Sequence, residues 1–321
     1  MRTPITRRTF LEGTGLAFAT AGAAPLLGRD AIADDKPRAI VVACRDCHLG
    51  VTGANDCWAA LKTIGADGVE AVIADDLSLP GLFPKGYTAA DAGQEKLAAD
   101  MKTAQRRITA FCMANRIEAR PDFEVEWITK AAKAAKALAV PAIRIDVVSG
   151  KADRLAFLKL ASETLKKAIA ATEDTGVNLG IENHGGTTND PEFLNTLFGM
   201  VGSKRLGLTL DTANFYWFGH PLSKLYEFYE AFAPRVFHTH CKNIKYPEAE
   251  REKKRAMGWE YGKYNCPVDE GDIDFARVVR ILKAAGYAND LCVEDEALGK
   301  FPAAEQRTVL AREVKYLQGL L

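Results

Sequence analysis

The sequence predicts an α/β chain folded as one (β/α)8 TIM barrel, and three observations carry that expectation. Apolar strand-like runs alternate with helical patterns eight times after position 38, and such alternation implies a parallel sheet wound one way. Polar residues recur at successive strand ends: 29 residues separate Glu182 from Asp211, and 29 separate Asp211 from His240. One strand–helix–strand step takes about 30 residues. The roughly 290 residues after position 33 match the size of such a barrel, about 250 residues. A doubly wound sheet is the competing architecture, but it would not bring the ends of strands five to eight to one pocket so readily.

The first 33 residues stand apart. Thr6-Arg7-Arg8-Thr9-Phe10-Leu11 is a twin-arginine pattern, followed by a weakly apolar Gly/Ala-rich stretch. Ala31-Ile32-Ala33 then offers a small-residue cleavage site before Asp34. Gly13, Gly15, Gly22 and Pro25 argue against a buried first helix. The expected division is a signal peptide at 1–33 and a barrel at 34–321. The partner it implies is the twin-arginine export machinery, and the location is the periplasm, with no stable membrane anchor.

The elements follow in order. Residues 39–43 are the first strand, and 57–64 an amphipathic helix stopped by Gly65. Residues 68–73 form the second strand, and a Pro/Gly-containing loop leads to a helix near 94–104. Strand three is 108–113. Its helix, 121–139, has Pro121 near its start and Asp122, Glu124 and Glu126 early, which suits the helix dipole. Strand four is 142–148, with its helix at 153–172. Strand five, residues 178–181, is ended by Gly185-Gly186, and a helix follows at about 191–200. Strand six ends at Asp211, with its helix at 222–232. Strand seven runs 235–242, and the 54-residue interval from His240 to Glu294 contains an insertion at 244–271 rich in charge and aromatics. It reads as a lid over the catalytic face or a solvated loop. A helix at 274–285, strand eight at 291–296 and a helix at 303–319 close the chain.

Charge and cysteine content exclude several classes. Lysine plus arginine and aspartate plus glutamate number 42 each, so nothing marks the chain for nucleic acid. Seven scattered cysteines are too few for a disulfide scaffold. Cys44-Arg45-Asp46-Cys47-His48 matches the C-x-x-C-H pattern of haem attachment. Haem is disfavoured because twin-arginine export moves folded proteins, whereas attachment needs accessible thiols, and Cys44 falls within the apolar run 38–44, where it would be packed. His48, just past that strand, is instead expected to enter a site at the strand ends.

Successive strand residues alternate faces, so Glu182 and His184 point together, as do His238 and His240, and Glu294 and Glu296. Glu182, Asp211, His240 and Glu294 would converge at the C-terminal mouth. Three carboxylates against one imidazole leave charge uncompensated, which is costly in a partly buried site; Lys242 and Arg144 offset some of it. One divalent cation offsets it more fully, and mixed oxygen and nitrogen ligands suit Mn, Mg, Co or Zn. His184 and Lys242, two residues beyond ligand candidates, are expected at substrate oxygens. Glu70 and Glu296 are further substrate-binding candidates, and His238 is expected to pack one layer deeper.

GVE at 68–70, GIENH at 180–184, LTLDTANF at 208–215, HTHCKN at 238–243 and GDIDFARVVRILKAAGYANDLCVEDE at 271–296 resemble the sugar phosphate isomerase/epimerase family with the xylose isomerase-like TIM barrel. The resemblance covers essentially all of the chain after position 33. It implies Glu182, Asp211, His240 and Glu294 as metal ligands, with Glu182 and Glu294 also passing a proton on either face of a sugar or keto sugar. The implied chemistry is isomerisation or epimerisation through an enediolate. The same fold and ligands serve dehydratases of keto sugars and keto cyclitols, and an exported non-catalytic sugar-binding protein is the alternative of another class. The ketose 3-epimerases carry substrate-binding Glu, His and Arg where this chain has Thr188, Asn214 and Tyr246, so their specificity does not carry over. An endonuclease IV-like role would need more histidine ligands and a basic groove.

Overall fold

The computed structural model describes residues 39–321; the expected signal peptide at 1–33 lies outside them. The elements in chain order are β1 (Val41–Arg45), α1 (Cys57–Ile64), β2 (Gly68–Val72), α2 (Asp91–Ala104), β3 (Arg107–Cys112), α3 (Pro121–Ala137), β4 (Ala142–Ile145), α4 (Arg154–Ala171), β5 (Asn178–Glu182), α5 (Pro191–Val201), β6 (Leu206–Asp211), α6 (Asn214–Phe218), α7 (Leu222–Phe232), β7 (Val236–His240), β8 (Asn243–Ile244), α8 (Glu248–Arg251), α9 (Tyr261–Tyr264), β9 (Asn265–Cys266), α10 (Phe275–Ala284), β10 (Asp290–Val293) and α11 (Ala303–Gln318). β10 and β1 to β7 form one parallel sheet in the order β10-β1-β2-β3-β4-β5-β6-β7. A parallel bridge between Cys241 and Val293, with Cys241 N donating to Cys292 O at 2.7 Å, closes the seam. The eightfold barrel is therefore the observed fold.

The helix starts follow from their caps. The Asp56, Asp153, Asp190 and Asp274 side chains each accept a backbone N–H of the first turn of α1, α4, α5 and α10. Pro121 and Pro191 open α3 and α5, where the missing N–H costs nothing. Gly65 and Gly202 end α1 and α5 at positive φ. Apolar stripes on these helices pack against the barrel's outer face; Leu61, Ile128, Leu165, Leu194 and Val314 are fully buried there.

Two segments depart from the expected layout. A 3-10 turn, Asp46–Thr52, follows β1 directly, so Cys47 and His48 leave the strand while Cys44 stays wholly buried in it. The insertion is a folded excursion: β8 pairs antiparallel with β9, enclosing α8 and α9. Tyr246, Trp259 and Tyr264 pack their rings at 5.6–5.7 Å. No helix among the described residues is long and apolar enough to cross a membrane.

Candidate metal centre

The pleat and the register place the site. Glu182, Asp211 and His240 are the last residues of β5, β6 and β7, and Glu294 follows β10 directly. Asp211 and His240 are register partners across β6 and β7. Local register shifts at Val69/Glu70 and Leu208/Thr209 re-aim the strand ends beside the site. One donor atom from each of Glu182, Asp211, His240 and Glu294 lies within 4.8 Å of the others, and all four residues are buried.

The contacts of these side chains show which atoms face inward. Arg144 Nη2 holds Glu182 Oε2 in a close ion pair, with Arg144 Nε at 2.8 Å from the same oxygen. Asp211 Oδ1 accepts Ala213 N at 2.8 Å and Asn214 N at 3.0 Å. Arg45 Nη1 holds Glu294 Oε1 closely, and Glu70 Oε1 lies 2.8 Å from His240 Nε2. Each side chain thus has one atom fixed from outside. The remaining atoms, Glu182 Oε1, Asp211 Oδ2, His240 Nδ1 and Glu294 Oε2, are left to converge. His240 Nδ1 lies 3.0 Å from both Glu182 Oε1 and Glu294 Oε2. Outside contacts that orient ligands in this way are typical of metal sites. The three oxygens and one nitrogen fit a hard or borderline divalent ion such as Mn, Mg, Co or Zn.

Charge alone does not demand that ion. The expectation of three carboxylates facing one imidazole left Arg45 out of account and gave Arg144 too small a share. Arg45 Nε is also 2.7 Å from Glu70 Oε2, and Lys242 Nζ is 2.9 Å from Asp211 Oδ2, 2.9 Å from Glu294 Oε2 and 2.7 Å from Glu296 Oε1. The convergent donors favour a metal instead. Burial favours neutral carboxyls, yet Arg144 and His240 hold Glu182 below the usual range, and His240 and Lys242 do the same for Glu294. Burial opposes a charge on His240, but Glu294, Glu70 and Glu182 outweigh it and push its pKa well up. For Asp211 burial prevails, raising it to about 7 against the pull of Lys242.

The other expected site residues divide by depth. Glu70 is a correction. It is 1 % exposed, beneath His240, with His238 Nε2 at 3.1 Å and Arg45 on its other oxygen; it meets His240 at the ring nitrogen opposite the converging donors, where its contacts are side chains of the barrel. His238 is packed as expected, its Nδ1 2.9 Å from Asp290. His184 stands at the mouth with Nδ1 3.0 Å from Asp146 Oδ1. With Lys242, Glu296, Asn214, Trp217 and Tyr261 it lines a cavity of about 140 Å³. Tyr261, from the insertion, donates its hydroxyl to Glu296 Oε2 at 2.7 Å. His48 is half-buried in the 3-10 turn, and its Nε2 is buried without a hydrogen-bond partner. Burial lowers its pKa to about 4, so the ring is neutral, and Glu294, Arg45, Lys242 and Glu296 are the charges acting on it.

Sequence reasoning missed Arg45, Trp217 and Tyr261. Arg45 was detectable, because it is the register partner of Glu70 across β1 and β2 and ends a strand at the same level. Trp217 and Tyr261 arrive from α6 and α9, whose placement no strand periodicity sets. Two of the three positions where this chain departs from the ketose 3-epimerases have structural tasks here. Thr188 donates its hydroxyl to Glu182 O at 2.7 Å, and Tyr246 is buried against Tyr216.

The family model described as xylose isomerase-like TIM barrel matches residues 58–319. Among curated proteins, an inosose dehydratase of Clostridium beijerinckii is 29 % identical over 144 residues, 43 % of this chain and 47 % of that protein. The match thus spans about half the length of that relative. Among solved structures, the IolI protein with a bound zinc atom aligns with a TM-score of 0.65 at 18 % identity, covering 88 % of this chain and 99 % of its own. The D-allulose 3-epimerase of Methylomonas sp., in complex with D-allulose, aligns with a TM-score of 0.63 at 13 % identity, covering 89 % and 98 %. At these identities the two structures establish the fold.

Proposed function

Since the chain belongs to the xylose isomerase-like TIM barrel family, we propose that it is a divalent-metal-dependent enzyme that moves a proton next to the carbonyl of a keto sugar, as an isomerase or epimerase. The observation that carries this reading is the convergence of Glu182, Asp211, His240 and Glu294 at the mouth, each with its other polar atom fixed from outside. Those four residues would hold the ion. When bound, it supplies charge neutralisation for the oxygen that becomes negative as the proton leaves.

The remaining work belongs to the chain. Glu182 and Glu294 are the proton carriers of this reading, both ionised at neutral pH and therefore able to accept a proton. Trp217 offers an aromatic wall, and Lys242, His184, Asn214, Tyr261 and Glu296 offer polar atoms to hydroxyl groups. His48, neutral and with an unpartnered Nε2, is suited to an uncharged hydroxyl or carbonyl.

Dehydration of a keto sugar or keto cyclitol is the second reading, and two observations favour it. The curated relatives are inosose dehydratases. Arg144 and Arg45 also oppose protonation of Glu182 and Glu294, so neither carboxyl holds ready the proton that epimerisation must deliver to the second face. Loss of a neighbouring hydroxyl would carry the abstracted proton away as water, so none need be returned to carbon. The chain is further proposed to be exported in folded form under the direction of Arg7 and Arg8.

The test is to purify the protein, measure bound metals, and incubate it with ketoses, keto-glycosides and keto cyclitols in deuterated water. Label incorporated into recovered sugar supports epimerisation, and an unsaturated product supports dehydration. Absence of both from metal-loaded protein that still binds sugars would leave it a binding protein.

A further inference from the structure

Three cations serve the metal centre, and they do not serve it alike. Arg144 and Arg45 sit on the outward oxygens of Glu182 and Glu294, Oε2 and Oε1. There they orient the ligands and leave the inward oxygens open. Lys242 does the opposite. Its Nζ lies 2.9 Å from Asp211 Oδ2 and 2.9 Å from Glu294 Oε2, two of the four inward atoms. Among the described residues it is the lysine or arginine whose charge falls on those atoms. The outward oxygen of each partner is already committed, Asp211 Oδ1 to two backbone N–H groups and Glu294 Oε1 to Arg45. Neither carboxylate can satisfy the ammonium and a divalent ion from separate oxygens.

The surroundings give the ammonium somewhere else to go. Its third partner, Glu296 Oε1 at 2.7 Å, belongs to the rim, and the Glu296 side chain is 43 % exposed. Lys242 and Glu296 both line the mouth cavity with His184, Asn214, Trp217 and Tyr261. The backbone of Lys242 is pinned: its N–H donates to Thr212 Oγ1 at 3.0 Å, and its carbonyl accepts the Thr212 hydroxyl at 2.8 Å. A move from the inward oxygens to the cavity is therefore a matter of side-chain torsions, with no strand displaced.

Resting on the metal-dependent reading above, we infer that Lys242 is an exchangeable counter-ion. Its ammonium neutralises Asp211 Oδ2 and Glu294 Oε2 in the metal-free protein and yields both to the metal. Held then by Glu296, it becomes a hydrogen-bond donor to a substrate oxygen in the cavity. The pair of cations thus sets an order, metal before substrate, because the lysine is free to meet a substrate only after its place has been taken. Lys242 is accordingly a competitor of the metal in one state and a substrate contact in the other. A lysine that merely supported the ligands from outside would instead strengthen metal binding.

The two roles predict opposite signs. Wild-type, Lys242→Met and Lys242→Gln proteins, purified with Mn²⁺ and then chelated, are titrated with Mn²⁺ by calorimetry and melted with and without the ion. Exchange predicts that both variants bind Mn²⁺ at least tenfold more tightly than wild type. It also predicts a lower melting temperature than wild type without metal and a smaller difference with it. Unchanged or weaker Mn²⁺ binding by the variants overturns the inference. If a chelated variant does not fold, the wild type answers alone: reductive methylation read by mass spectrometry should label Lys242 faster with Mn²⁺ than without, and equal or slower labelling overturns the exchange. Wild-type protein that binds no divalent ion would refute the metal reading itself, a result distinct from either.

Discussion

Replacement of Glu70 by glutamine separates a substrate contact from a buried organiser of the site. Glu70 is 1 % exposed and takes His240 Nε2 at 2.8 Å, His238 Nε2 at 3.1 Å and Arg45 Nε at 2.7 Å. Glu70→Gln keeps the shape and removes the charge, leaving the Arg45 guanidinium with Glu294 as its only carboxylate among these contacts. Removing one partner of a buried ion pair costs about 3–5 kcal/mol. At about 2–4 °C per kcal/mol for a chain approaching this size, the melting temperature should fall by about 6–20 °C. The imidazole of His240 also loses the anion that orients its ring, and loss of such a contact costs about 10–100-fold in metal affinity. Calorimetric melting and Mn²⁺ titration read the two effects directly. A variant with unchanged melting and unchanged Mn²⁺ affinity, altered only in KM for its sugar, would refute this reasoning and return Glu70 to the substrate.

Three further outcomes are expected. Glu182→Gln and Glu294→Gln should each lower turnover by about 10²–10⁴-fold even at saturating metal, since an amide cannot accept the proton; full recovery by added metal would leave that residue a ligand only. Burial, opposed by the Val72 N–H, raises the Asp46 carboxyl to about 6. A folded pKa above the unfolded one means that stability falls as pH rises from about 3.8 to about 6, so Asp46→Asn should flatten that slope in urea unfolding. Its gain at pH 7 should approach about 3 kcal/mol, and identical slopes would reject it. Changing Arg7 and Arg8 to lysine should trap the precursor in the cytoplasm, and unchanged export in a fractionation assay would exclude twin-arginine dependence.

How much was legible in the sequence follows from what strand periodicity encodes. Strand-end residues announce themselves, because polar residues that close apolar runs one repeat after another mark a shared rim. Glu182, Asp211, His240 and Glu294 are legible in that way. Depth along a strand is less legible. Glu70 and Glu182 are both acidic residues of short apolar strands, yet Glu70 sits in the middle of β2 while Glu182 closes β5, and Glu70 lies beneath His240. Loops are least legible, since their side chains are aimed by local packing. Nothing in the spacing placed Trp217 or Tyr261, whereas in the fold Gly258 N donates to Trp217 O at 2.8 Å and fastens the insertion beside the mouth. The charge sum failed for a related reason: it took Lys242 and Arg144 as the offsetting cations and omitted Arg45, whose motif marks only its cysteines and His48.

That omitted arginine bears on which reaction the site runs. A symmetric exchange of protons needs two carboxyls of similar basicity, one to remove a proton and one to return it. Glu182 and Glu294 are matched in an unhelpful way, each clamped by a guanidinium that stabilises its anion. Accepting a proton then works against Arg144 or Arg45, and the accepted proton is readily lost again. Such a pair favours a reaction in which the accepted proton is given up at once to a departing hydroxyl, which leaves as water, over one that must hold a proton ready on the second face. Arg45→Met should therefore raise the basicity of Glu294. If epimerisation is the reaction, the variant's turnover at saturating metal should rise. If dehydration is the reaction with Glu182 as base, that turnover should be insensitive to the change. A fall of both turnover and metal affinity would instead give Arg45 the single task of holding Glu294 in place.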